Sequence, residues 1–416
     1  MEFPQEYIDF VTQHAADDPT RLRLRFHGDT RQWLPYAIDN IAALKKRKKF
    51  KLHDGRDFTP AVIPFELSAQ QATSASIAQF HAELVGDAHT ILDMTFGIGM
   101  DARFLAMDSN RRILGFDLRE ELVGAAKVNF ADFPNVEVRH GDSVEFLNHY
   151  NGEKFDLIFI DPARRGSEGE RLYNLHDCQP DLIELLPLIK EKAKRLIAKL
   201  SPMLDVTQTL RDLPGIVQLH VVEEGNECKE LLAVVYFASG NEAIGTTSAI
   251  STAMICIDRL VSGERRQFAF TQAQEATTPL SLLSRMPVAG EFICEPSAAT
   301  MKAAPFNLLS TKFEAPALHP NSHLYVAPTA PSAFPGNCYE ICQAVALTSS
   351  NLKQIAKSVD RADIAVRNLK GFTSDVLRKR LKLKSGGNLR LFATTLATSA
   401  GDTPILVLCK LSAPLS

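Results

Sequence analysis

From Thr90 to about Phe237, short apolar runs alternate with helical stretches: TILDM, RILGFD, VEVRH, FDLIFID, RLIAKL, IVQLHVV and LLAVVYF mark seven strands. Runs that are apolar throughout must be covered on both faces. The alternation therefore predicts a mostly parallel sheet with helices on both faces, in the α/β class. In such open sheets ligands bind outside the carboxyl ends of the strands, so the residues that follow each run deserve the closest reading.

The first run passes directly into DMTFGIGMDARFLA, where Gly97 and Gly99 form a tight turn before a helix. The string GIGMDA also satisfies the glycine pattern of dinucleotide folds, which leaves a nicotinamide or flavin enzyme as a competitor at this point. Three acids follow at successive strand ends. Asp117 closes RILGFD, where a carboxylate can accept hydrogen bonds from both ribose hydroxyls. Asp142, in RHGDSVEFL, is placed either to accept from an adenine amino group or to cap the next helix. Asp161 and Pro162 follow LIFI at the rim of the fourth strand, and Asp161 reads either as a reactive carboxylate or as a structural rim residue.

With this set, the sequence resembles the Rossmann-like S-adenosylmethionine-dependent methyltransferases over roughly residues 70 to 237, through DMTFGIGMD, Asp117, Asp142 and DPAR. The resemblance implies S-adenosylmethionine as cofactor. It assigns Asp93, Thr95, Phe96, Gly97, Gly99, Asp117, Leu118, Asp142, Ser143 and Asp161 to its binding, with Asp93 at the methionine end and the DPAR loop facing the methyl group. Asp161 and Pro162 are then the candidate catalytic positions, the carboxylate orienting or partly deprotonating an attacking amino or hydroxyl group and the Pro162 carbonyl accepting from an exocyclic amine, so the expected nucleophile is a nitrogen or an oxygen. A narrower resemblance, to bacterial methyltransferases with a THUMP-like C-terminal domain, rests on KLSPMLD, NECKELL, EPSAATMKAAPF, NSHLYVA and RNLKGFTSDVLRKRLKLKSGG. THUMP domains proper belong to tRNA-modifying enzymes, so RNA is the expected partner, tRNA among the candidates.

The DPAR loop departs from the DPPY form of amino-methylating enzymes, since Ala163 and Arg164 stand where a proline and a stacking aromatic would. Arg164 and Arg165 are candidate substrate contacts for a phosphate or carboxylate, or else partners of Glu168 or Glu170. A covalent attack on a uridine carbon needs a thiolate near the methyl. The fifth strand exits through KLSPMLD without a cysteine, which disfavours that route.

Outside this region, residues 1–70 read as a helical cap with Phe3, Tyr7, Phe10 and Val11 on one face and the basic run KKRKKFK at Lys45 to Lys51. Residues 71–240 are the expected cofactor domain, 241–336 an α+β middle domain, and 337–416 a small α+β module of short strands around the helices NLKQIAKSV and SDVLRKRLKL. The last helix is strongly basic, and Arg378, Lys379, Arg380 and Lys382 are the expected RNA contacts. Helical spacing pairs Arg378 with Lys382 and Arg380 with Lys384, above a packed face of Val376, Leu377 and Leu381. Arg361, Arg367 and Lys370 would extend the stripe. A net charge of -3 supplies no global attraction to a polyanion, so any such grip must be local.

Seven scattered cysteines without CxxC spacing argue against a zinc site or a disulfide framework and for a reducing cytoplasm. No run approaches a membrane span, and no metal is expected. Two other readings stay open: a methyltransferase for a protein or small metabolite, and a cofactor-binding scaffold without catalysis.

Overall fold

Seven strands expected over Thr90–Phe237 are present in the computed structural model, which describes residues 1–164, 175–237, 252–259 and 263–411. The chain divides into two units, one built on Met1–Leu219 and the segment from Glu230, the other on His220–Lys229 and the segments from 251 and 265, with 259–264 belonging to the first.

In the first unit, helices α1 (Gln5–Gln13), α2 (Pro19–Arg25), α3 (Leu34–Leu44) and α4 (Glu66–Gln71) form the cap. Phe3, Tyr7, Phe10 and Val11 are buried, as their spacing requires, against Leu34, Ile38, Ile41 and Ala125. Helix α5 (Ala75–Val85) starts at Ser74, whose hydroxyl accepts from the Ile77 N–H. There follow β1 (Thr90–Asp93), α6 (Met100–Leu105), β2 (Arg112–Asp117), α7 (Glu120–Asn129), β3 (Val136–His140), α8 (Ser143–His149) and β4 (Leu157–Ile160). A two-residue ladder of β5 (Ala163–Arg164) and β6 (Cys178–Gln179) precedes α9 (Leu182–Lys192), β7 (Arg195–Leu200), α10 (Val206–Asp212), β8 (Ile216–Glu224) and β9 (Glu227–Tyr236).

Strands β3, β2, β1, β4 and β7 pair in parallel in that order, and β9 pairs antiparallel with β7. Leu92 stands between Leu114 and Ile158, and Ile158 is opposite Leu196. Leu157, Ile158, Ile160, Leu196, Ile197 and Ala198 are fully buried, so the central strands are covered on both faces. Strand order reverses between β1 and β4, and that switch point is where a sheet of this kind opens a ligand crevice. Gly225 and Asn226, with φ of 65° and 64°, make the tight turn joining β8 to β9. Asn226 and Glu227 are exposed there, and Glu227 pairs with Lys229.

In the second unit, β10 (Ala253–Arg259) and β11 (Arg265–Thr271) line up in the order β11-β10-β8, followed by α11 (Gln272–Thr277). The remainder is β12 (Phe292–Pro296), α12 (Ala298–Ala303), α13 (Phe306–Lys312), β13 (Tyr325–Ala327), β14 (Gly336–Ala346), α14 (Ser349–Ser358), β15 (Asp363–Val366), α15 (Ser374–Leu381), β16 (Leu389–Thr398) and β17 (Gly401–Leu411). These strands form one sheet in the order β13-β12-β14-β17-β16-β15. The strands of the C-terminal module are mostly long: β14, β16 and β17 span 11, 10 and 11 residues. Cys294 and Cys338 are cross-strand partners with their sulfurs 2.7 Å apart.

The basic stripe differs from its sequence reading. Helix α15 ends at Leu381, and Lys382 adopts a left-handed φ of 57° while its N–H bonds back to the Arg378 carbonyl. Leu377, Leu381 and Leu383 all enter one core cluster. Two residues further along a helix would put Leu383 about 200° around from Leu381, so burying both requires the chain to leave the helix. Lys384 therefore does not stack above Arg380. Lys384 instead bridges to Arg361 and pairs with Asp360. Val376 is exposed rather than packed. Arg367 is drawn into an ion pair with the buried Glu295, which Arg390 shares.

Candidate active site at the sheet switch point

The glycine turn is fixed from two sides. Gly97 and Gly99 have φ of 58° and 76°, a region in which a side chain would be strained. The Gly97 N–H donates to Asp117 Oδ2 at 3.0 Å, and the Phe96 N–H donates to the Phe116 carbonyl at 2.9 Å. A Cβ at Gly115 would lie 2.2 Å from the Phe96 ring, so only glycine leaves room for that ring over β2.

Asp93 ends β1 almost wholly buried, with Oδ1 accepting from the Thr95 N–H at 3.0 Å. Burial raises its pKa to about 8; the Thr95 N–H opposes this, and the carboxylates of Asp101, Asp161 and Asp117 add to it. Thr95 in turn accepts from the Asp161 N–H at 2.7 Å through its hydroxyl, which ties the exit of β4 to the exit of β1. Asp117 accepts from two backbone donors, Gly97 at Oδ2 and Arg119 at Oδ1 (2.9 Å). A carboxylate has about four acceptor positions, so two remain for a ligand. Burial also shifts Asp117 upward.

At the other side of the switch point, Lys199 of β7 places Nζ 2.6 Å from Asp161 Oδ2 and 3.2 Å from Thr73 Oγ1. Burial works against the ammonium, but Asp161, Glu230 and Asp101 together hold its pKa above the ordinary lysine value. Burial raises Asp161, with Lys199 opposing. Behind this pair lies His81 of α5, 1% exposed, with Nδ1 2.7 Å from Asp101 and Nε2 2.5 Å from Glu230. Burial disfavours the charged ring, yet the two carboxylates lift its pKa to about 10. Asp101 also accepts from the Thr73 hydroxyl at 2.9 Å and is held below the ordinary aspartate value against its burial.

Thr73, Asp93, Asp101, Asp161 and Lys199 line a cavity that is open to solvent. Asp93, Thr95, Phe96, Gly97, Gly99 and Asp161 from the sequence reading line it together. Asp117, Leu118, Asp142 and Ser143 are not among its lining residues. Asp117 touches it through Gly97, and Leu118 beside it is an exposed apolar side chain, 65% accessible. Asp142 is the N-cap of α8, accepting from the Val144 N–H at 2.7 Å, which leaves its second oxygen for another donor. Ser143 is buried in the first turn. Pro162 is buried next to Asp161, Arg164 lies in β5, and Arg165 falls outside the described residues.

Sequence reasoning missed Lys199, Thr73, Ser68, Asp101, His81 and Glu230 as site residues. Two of them carried a signal: Lys199 interrupts the apolar run RLIAKL, and Glu230 precedes LLAVVY. Charges in otherwise buried strands are costly and so need partners. Among the described residues no group of three or more histidine, cysteine, aspartate or glutamate side chains could hold a metal ion, and no helix is long and apolar enough to cross a membrane.

Comparison with known proteins bears on this arrangement. A crystal structure from Porphyromonas gingivalis W83, of a provisionally named methyltransferase, superposes with a TM-score of 0.83 at 27% identity, covering 99% of this chain and 100% of that one. Residues 292–335 match the profile of a ferredoxin-like domain, and residues 336–411 that of a THUMP domain-like family. This chain has the Rossmann-like methyltransferase fold and ends in a THUMP-like domain. The ferredoxin-like and THUMP-like segments share one sheet, since β12 pairs with β14 from Phe292–Glu340 to Pro296–Gly336. An uncharacterized RNA methyltransferase of Halalkalibacterium halodurans is 29% identical over 106 residues, a stretch covering 24% of this chain and 23% of that protein. The chain thus spans about a quarter of the length of this curated relative. An rRNA methylase of Streptococcus thermophilus matches 39% of this chain and 95% of its own at 18% identity, with a TM-score of 0.28.

Proposed function

We propose that the protein transfers a methyl group from S-adenosylmethionine to RNA. The observation that carries this reading is the convergence of Asp93, the Gly97 turn, Asp161 and Lys199 on one cavity at the sheet switch point. The cavity fits the cofactor: Ser68 Oγ is buried in its wall without a hydrogen-bond partner, and Asp93 offers a carboxylate for an ammonium. Asp93 and Ser68 would hold the methionine end, Gly97 and Gly99 would pass beneath the cofactor, and Asp117 would take the ribose hydroxyls. Leu118, Asp142 and Ser143 would receive the adenine. When bound, the cofactor supplies a methyl group already activated by a sulfonium, so the protein's main tasks are alignment and exclusion of water.

Asp161 stands at the cavity with a half-exposed carboxylate and is the group available to orient an incoming nucleophile. The THUMP-like match and the RNA methyltransferase relative support RNA as the substrate. Lys379, Arg380 and Lys382 are exposed at the end of α15 and would meet phosphates, with Arg378 half-buried beside them. In the first unit, Lys49 of the basic run donates to the carbonyls of Ala69 and Gln70, next to the Ser68–Thr73 wall of the cavity, while Lys45, Lys46, Arg47 and Lys48 are exposed. Free cysteines fit a reducing cytoplasm.

The deciding experiment incubates the protein with labelled S-adenosylmethionine and RNA, protein and metabolite fractions in parallel. Label in RNA is the expected result. Label only in protein or metabolites would replace the substrate, and no label in any fraction would favour a scaffold.

A further inference from the structure

We propose that the acceptor of the methyl group is a hydroxyl, the ribose 2′-hydroxyl of RNA, and that Lys199 and Asp161 act on it together. The inference rests on the methyltransferase reading of the same cavity and narrows its substrate.

The arrangement around Lys199 is what separates an oxygen acceptor from a nitrogen one. Its ammonium lines the cavity, fixed by Asp161 Oδ2 at 2.6 Å and Thr73 Oγ1 at 3.2 Å. Thr73 is locked in turn by Asp101, and Asp101 by His81, whose other nitrogen meets Glu230. Five side chains from distant parts of the chain thus hold one cation at the cavity wall. An amine that attacks a methyl group gains positive charge at nitrogen, and a fixed ammonium beside it opposes that change. A base presented for such attack also needs a flat surface to lie on. Ala163 is not aromatic, and among the described residues the two rings of the wall, Phe96 and Phe159, are 4% and 2% exposed.

A hydroxyl reverses these requirements. It is a poor nucleophile until its proton leaves, and its oxygen then gains negative charge, which a preorganised ammonium stabilises. Asp161, half-exposed at the same wall, accepts the proton. In balance, the oxygen lone pair forms the O–C bond, the C–S electron pair returns to sulfur as a neutral thioether, and the hydroxyl proton passes to the Asp161 carboxylate and then to solvent.

Alkali provides the test, because hydrolysis of an RNA linkage needs a free 2′-hydroxyl. The full chain is incubated with labelled S-adenosylmethionine and RNA from cells that lack this protein, and the RNA is then hydrolysed in alkali. Label in alkali-stable dinucleotides is expected, and label in mononucleotides would overturn the inference while leaving RNA methylation intact. RNA that stays unlabelled, although calorimetry shows cofactor binding, would defeat the RNA reading and this inference with it.

Lys199→Met supplies readouts that a structural role would not move. Its affinity for S-adenosylhomocysteine should match that of the wild type, while methyl transfer falls by about 10²- to 10³-fold, the range for a lost charge-stabilising donor. With the labelled position mapped, an oligonucleotide carrying deoxyribose there should bind the wild type more weakly than its ribose form. The same pair should bind Lys199→Met equally. Loss of S-adenosylhomocysteine affinity in Lys199→Met would place Lys199 on the cofactor and overturn its proposed role.

Discussion

Gly97 donates its backbone N–H to Asp117 Oδ2 at 3.0 Å, so the acid at the end of β2 shapes the glycine turn that lines the cavity. Asp117→Ala should weaken S-adenosylmethionine binding by about 1–3 kcal/mol, the scale for hydrogen bonds to a charged group. Calorimetry on the folded mutant checks this, with unchanged affinity removing Asp117 from the site. The same measurement on the wild type should show binding of S-adenosylmethionine and S-adenosylhomocysteine and none of NAD.

Gly115 tests the wall behind that turn. A methyl at this position meets Phe96 at 2.2 Å, and such overpacking costs about 1–3 kcal/mol. Gly115→Ala should lower the melting temperature and, by displacing Phe96, reduce the rise that S-adenosylhomocysteine gives. Thermal denaturation with and without ligand reads both effects.

Proton release should accompany cofactor binding. Asp93, with its pKa raised to about 8, is largely protonated at pH 6, whereas in an unfolded chain it would be ionised. An ammonium arriving beside it favours the ionised form, so binding expels a proton and affinity rises with pH until it levels off above about pH 8. Calorimetry at pH 6 in buffers of different ionisation enthalpy should detect the release in wild type and not in Asp93→Asn. Equal release in both would assign the proton elsewhere.

His81 should make stability fall in alkali. Its folded pKa of about 10 lies above the unfolded value of about 6.5. The contribution is therefore fully present below pH 6.5 and is lost as pH rises through 10. His81→Leu would leave Asp101 and Glu230 buried without their shared partner, at a cost of about 3–5 kcal/mol. Urea unfolding at pH 6, 8 and 10 should show the wild type weakening towards the mutant. Parallel curves would show that the imidazole is not charged in the folded protein.

The C-terminal cations answer to salt. If Lys379, Arg380 and Lys382 meet phosphates, replacing all three by glutamine should flatten the logarithmic salt dependence of RNA binding by roughly 0.7 to 0.9 per lost contact. Cofactor affinity should survive. Filter binding at several salt concentrations decides, and identical slopes would mean that these residues only solvate α15.

What the sequence by itself determined is whatever repeats locally. Apolar runs spaced by helices specified the parallel sheet, because period and run length are properties of neighbouring residues. Gly97 and Gly99 specified a turn, because few other residues adopt their backbone angles. Asp93, Asp117 and Asp161 were legible as strand exits because each follows an apolar run. The tertiary structure alone decided which polar groups share a wall: His81, Asp101, Lys199 and Glu230 lie on α5, α6, β7 and β9, far apart in the chain. It also decided where α15 stops, since the burial of Leu383 beside Leu381 outweighs a helical pattern that runs on through Lys384. A buried charge leaves no periodic trace. Its position is set by partners that only folding brings within hydrogen-bond reach, and the desolvation it must offset makes those partners obligatory.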